Sequence, residues 1–77
     1  MMFDRITTNP MMMGGQPVIR GLRIPVTTVV AMVADNMSPE EIVDELPDLQ
    51  LEDVHQALLY AAEALKEREL PLRHAAA

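Results

Sequence analysis

The chain contains no cysteine and no tryptophan, only one phenylalanine and one tyrosine, and a single serine, Ser38. Without cysteine there are no disulfides and no thiolate metal sites, so two of the staples that small folds use are excluded. A hydrolase needs a nucleophile with a base in reach. Ser38 is explained by a helix-capping pattern described below, so no catalytic residue is expected and the chain reads as a non-enzyme. There is no run of roughly 20 apolar residues to cross a membrane. Met1-Met2-Phe3-Asp4-Arg5 has no long apolar stretch after a basic patch, so no secretory signal is expected. With the lack of cysteine, this makes the cytoplasm the expected compartment. Asn36-Met37-Ser38 matches a glycosylation sequon and is read as chance.

Positive charge is also scarce. Six Lys and Arg face twelve Asp and Glu, a net charge of −6. Residues 1–34 carry Arg5, Arg20 and Arg23 against Asp4 alone, and residues 35–77 carry Lys66, Arg68 and Arg73 against eleven carboxylates. Phosphate neutralisation supplies most non-specific affinity for nucleic acid, so DNA contact is open to the basic first third only. What the chain has in plenty is apolar residues, 49% of 77, seven of them methionine. A domain this small buries only about 60% of its unfolded surface. Oligomerisation is the remaining stabiliser, and a homodimer or a complex with a larger protein is expected.

Ile6-Thr7-Thr8 is β-branched and reads as a short strand, closed by the turn signal Asn9-Pro10. Met11-Met12-Met13 is either an adaptable contact surface or a connector, and Gly14-Gly15 is a joint. Two β-branched pieces flank Gly21 between Pro17 and Pro25, a pattern for a tight hairpin or paired edge segments. Val26, Val29, Val30, Val33 and Met37 fall on one helical face, so periodicity predicts a helix over residues 27–35 despite its valines and threonines. Asn36 tolerates the left-handed conformation that ends a helix. Ser38-Pro39-Glu40-Glu41 predicts a second helix with a capping box, stopped before Pro47. A third, longer helix is expected from Leu51 to about Glu69, with Leu51, Val54, Leu58, Ala61, Ala62 and Leu65 as its buried stripe.

The expected organisation is one mainly α domain. An N-terminal β arm or hairpin spans residues 1–26, a tri-helical, helix-turn-helix-like core spans 27–69, and a flexible tail spans 70–77. Arg20 and Arg23 are either ion-paired beside the acidic helices or phosphate contacts flanking a helix-turn-helix. Gln50, His55 and Gln56 at the start of the third helix are candidates for reading base edges, although Glu52 and Asp53 beside them would repel phosphates. The plain alternative is a packing helix with a polar face, on which His55 is partly buried or interfacial. Asp44, Glu45 and Asp48 cluster without the spacing of a calcium loop and read as a solvated face. His55 and His74 lie too far apart in the pattern to share a metal, and no cofactor is expected.

Three runs together resemble a known family: Ile6-Thr7-Thr8-Asn9-Pro10, the stretch Gly14-Gly15-Gln16-Pro17-Val18-Ile19-Arg20-Gly21-Leu22-Arg23-Ile24-Pro25-Val26, and Met37-Ser38-Pro39-Glu40-Glu41-Ile42. The likeness continues through Pro47–Val54 to Tyr60-Ala61-Ala62. It is to the small prokaryotic proteins catalogued as domain of unknown function 433. That resemblance implies a homeodomain-like, winged-helix-type fold and the role of antitoxin to a PIN-like ribonuclease toxin. Arg20, Gly21, Arg23 and Pro25 stand at its signature positions. The chain departs from the pattern at Leu22, Gln16 and Asn36, where threonine, lysine and glycine are usual. An antitoxin of this kind would bind its toxin directly, with Arg68 or Arg73 of the tail as candidates to dock in the nuclease's carboxylate cluster, and would bind its own operator DNA. The rival reading is a stand-alone helix-turn-helix regulator with no toxin.

Overall fold

A computed structural model describes residues 3–66. Two short strands precede three helices: β1 (Ile6–Thr7), β2 (Val18–Ile19), α1 (Val26–Ala34), α2 (Pro39–Glu45) and α3 (Leu51–Lys66). The expected tail, residues 70–77, and the candidates Arg68 and Arg73 lie outside the described residues.

The arm folds because its turn residues permit it. β1 and β2 pair antiparallel, with Ile6 opposite Ile19 and Thr7 opposite Val18. Beyond β2 the chain reverses at once. Ile19 O accepts from Leu22 N at 2.8 Å, and Ile19 N donates to Ile24 O at 3.1 Å. The two central residues of this turn have positive φ, 46° at Arg20 and 72° at Gly21, the signature of a type I′ hairpin turn. Gly21 adopts that geometry freely, whereas Arg20 does so against the left-handed penalty of roughly 1–2 kcal/mol for a side chain with a Cβ. Val18 then bridges Pro25, which hands the chain to α1.

Each helix stops or starts where its local chemistry says it should. Past α1, Met37 N donates to Met32 O and Asn36 N to Val33 O, with Asn36 at φ 68°. This is the Schellman arrangement, and asparagine here occupies the position glycine usually takes. α2 opens with the full capping box. Glu41 N donates to Ser38 Oγ at 3.1 Å, and Ser38 N donates to Glu41 Oε1 at 2.9 Å, with Pro39 in the first turn.

One core joins arm and helices. Ile19, Val26, Val29, Ile42, Leu49, Val54 and Ala57 are buried together, and each large aliphatic among them contributes about 1.5–3 kcal/mol. α3 packs on both α1 and α2, and Phe3 of the arm meets Tyr60 edge-on at 5.3 Å. The α3 stripe differs from the expected one. Val54, Ala57 and Asp53 are buried and Leu58 and Ala61 half-buried, while Leu51, Ala62 and Leu65 face solvent. Val54, Leu58 and Ala61 keep the expected face, and at the first turn Asp53, not Leu51, lies against the arm.

Two substitutions in α2 separate capping from packing. Ser38→Ala should lower unfolding free energy by about 1 kcal/mol, and Ile42→Ala, at a fully buried site, by about 2–5 kcal/mol. Urea denaturation with unchanged m-values would check both.

Candidate functional site

Asp53 is the only charged residue that is buried among those described, with no exposed surface. It occupies the third position of α3, and its Oδ2 accepts from Gln50 N at 2.7 Å, half of a capping box. The other donors come from the arm. Arg20 Nε reaches Oδ1 at 3.0 Å and Oδ2 at 3.2 Å, and its Nη2 donates to Oδ2 at 3.0 Å. Arg5 Nη1 donates to Oδ1 at 2.9 Å. A buried carboxylate without such partners would cost several kcal/mol. Here the N–H groups of two guanidinium ions and one backbone amide surround it.

The clamp ties three parts of the chain together. Arg20 Nη2 also donates to Asp48 O at 2.7 Å, fixing the turn between α2 and α3. Arg20 N donates to Arg5 O at 2.8 Å, which brings the two arginines side by side. Arg5 Nη1 also donates to Gln50 Oε1 at 2.9 Å. Gln56, one turn along α3, accepts from Arg5 N at 2.6 Å and donates to Asp4 Oδ1 at 2.9 Å. Gly21 N donates to Thr7 Oγ1 at 3.0 Å, securing the turn on β1. The unusual backbone of Arg20 thus has a purpose: it presents the planar fork of the guanidinium along the carboxylate edge, a geometry lysine does not offer.

Electrostatics follow from the contacts. Burial pushes the Asp53 carboxyl up, but the Arg20 hydrogen bonds, the Gln50 amide and Arg5 outweigh it and hold it below the ordinary aspartate value. Its hydrogen bonds to Asp53 raise Arg20 further above an already high value. Glu41 is lowered by its hydrogen bonds with the Ser38 backbone and side chain.

Among the residues read from sequence as nucleic-acid contacts, Arg20, Gln50 and Gln56 meet at this cluster, with their side chains bonded to other parts of the protein. For Arg20 this is the ion-paired alternative. Arg23 and His55 are exposed and lie apart from it. His55 is therefore neither core nor partly buried; it borders a shallow cleft with Glu40, Leu51 and Glu52. Asp53 and Arg5 escaped sequence reading as site residues. The available signal was a carboxylate at the third position of a helix in a chain whose first third is basic. Among the described residues no group of three or more acidic or histidine side chains is placed to hold a metal ion, and no helix there is long and apolar enough to cross a membrane.

The chain is similar to known proteins over most of its described length. The family model described as "Protein of unknown function (DUF433)" matches residues 6–61, a span that holds Arg20 and Asp53 and begins one residue after Arg5. An uncharacterised protein of Sinorhizobium fredii, y4eO, is 41% identical over 56 residues, which is 73% of this chain but 25% of that protein. The crystal structure of a DUF433 member from Anabaena variabilis superposes with a TM-score of 0.76 at 33% identity, covering 83% of this chain and 63% of that one. The chain thus spans a quarter to about two thirds of the length of these relatives.

Removing the ionised carboxylate should be visible against pH. A lowered folded-state pKa contributes stability that is complete above the unfolded value and is lost as pH falls through the folded one. Wild-type stability should therefore drop below about pH 4, and Asp53→Asn should be less stable at neutral pH and lose less on acidification; equal acid sensitivity of the two would count against the clamp. Arg20→Lys should lower stability in chemical denaturation, because it loses the bidentate contact while the turn strain remains. By matched family model, relative and structure, the chain belongs to the DUF433 family.

Proposed function

We propose that the protein is a non-enzymatic binding module, the antitoxin of a toxin–antitoxin pair whose toxin is a PIN-like ribonuclease. The observation that carries this reading is the distribution of free charge. Arg5 and Arg20 are spent on Asp53, and Lys66 is paired with Glu63. On the other side Glu40, Asp44, Glu45, Asp48 and Glu52 are exposed along α2, the turn and the start of α3, and Glu40 and Glu52 border one cleft.

A surface of this kind repels nucleic acid and attracts what binds it. A ribonuclease holds RNA phosphates on a cationic groove, and an acidic protein face competes for the same groove, with association accelerated by steering. The α2–turn–α3 unit is the helix-turn-helix-like part of the chain, and here it serves as the acidic platform. Arg68 and Arg73 would add a second contact, pairing with the nuclease's metal-binding carboxylates. Operator DNA, if contacted by the same complex, would draw on Arg23 and these C-terminal cations rather than on Arg20. The site of action in this reading is the cytoplasm.

Co-expression with the nuclease-like product of the neighbouring reading frame tests the proposal. The two proteins should co-purify, and RNA cleavage should be inhibited at stoichiometric ratio. Combined Asp44→Asn, Glu45→Gln and Asp48→Asn should weaken inhibition tenfold or more in dilute salt, and Arg68→Glu with Arg73→Glu should weaken it independently. Undiminished cleavage with the wild-type protein present would overturn the reading. A stand-alone regulator would instead shift its upstream DNA strongly at low salt with no partner present.

A further inference from the structure

The geometry points to a second surface with a different occupant: the α1–α3 groove is where two copies of this chain meet as a two-fold dimer. The groove measures about 550 Å³ and is open along one side. Val30, Ala31 and Ala34 of α1 form one wall and Ala61, Ala64 and Leu65 of α3 the other, and among the described residues no charged side chain lines it. That is unusual in a chain with 23% charged residues, and depletion of charge marks the core of protein interfaces.

Charge also selects the occupant. Two copies each carrying −6 repel through the acidic face of α2, so self-association is confined to a surface without carboxylates. A cationic partner has the opposite preference and goes to α2. The two surfaces therefore sort the two partners, and this inference stands apart from the capture of a nuclease. Shape agrees with self-association. An isologous contact needs a projection and a matching hollow on one face. Leu65 projects, with 61% of its surface exposed, beside a hollow floored by alanines, whose small side chains let a second helix approach closely. The described core has few fully buried aliphatic side chains, and burying this groove against a copy would enlarge it, as a domain of this size needs.

Light scattering on the eluting 77-residue chain tests this. At micromolar concentration the mass should be about 17 kDa, twice the 8.6 kDa of one chain. Ala31→Arg and Leu65→Glu, both at exposed positions, should each weaken self-association about tenfold or more, with helical circular dichroism unchanged. Leu51→Glu, at an exposed leucine outside the groove, should leave the dimer intact. A dimer that survives both groove substitutions would overturn the inference, since the copies would then meet elsewhere. A wild-type monomer whose melting temperature drops with Ala31→Arg would overturn it in favour of the chain's own C-terminal segment in the groove. A wild-type monomer that loses nuclease binding with Ala31→Arg would overturn it in favour of the nuclease.

Discussion

A single buried carboxylate sets the arrangement of this small protein. Asp53 has no contact with solvent, so it is tolerable only while donors surround it. Those donors come from Arg5 just before β1, from the hairpin turn and from the helix's own N-terminus. Arm, turn and helix are thereby brought to one point, and the positive φ of Arg20 becomes intelligible as the geometry that delivers a two-pronged guanidinium. Strain at one residue is offset by charge-assisted bonds at another, a trade found where the surroundings over-determine a backbone conformation.

The same clamp decides what the surface offers. By pairing Arg5 and Arg20 with Asp53 it neutralises two cations of an already acidic chain and leaves α2 and the following turn dominated by carboxylates. It also fixes the rotation of α3. With Asp53 turned in, Leu51 is turned out, while Leu65, on the same helical face as Val54, Leu58 and Ala61, ends beside an apolar groove that no charged residue lines among those described. The chain thus presents one acidic face and one apolar face, and they suit partners of different character.

Local chemistry was readable in the sequence and long-range pairing was not. The capping box at Ser38, the left-handed stop at Asn36 and the reversal at Gly21 involve residues within a few positions of one another, and each residue type permits little else. The first and third helices follow from apolar periodicity and the second from its capping box and Pro47. The run through Arg20, Arg23 and Pro25 pointed to the family before any coordinates. Asp53 was hidden because its partners lie 33 and 48 positions away, and an aspartate in a first helical turn already has an ordinary explanation in the helix dipole. The expected stripe of α3 holds at Val54, Leu58 and Ala61 and departs at the first turn, where nothing local showed that Asp53 rather than Leu51 would take the inward position. Gln50 and Gln56 looked like base-reading side chains because a helix-turn-helix pattern invites that use, whereas they complete the network around Arg5.

The direct measurement is a double-mutant cycle between Arg20 and Asp53, using Arg20→Met, Asp53→Asn and the pair in chemical denaturation. A clamp on which the arm depends gives a coupling free energy above about 1 kcal/mol, the double variant being less destabilised than the sum of the singles. Additivity within about 0.3–0.5 kcal/mol would mean that the two side chains act independently, and the organising role given to Asp53 would be contradicted.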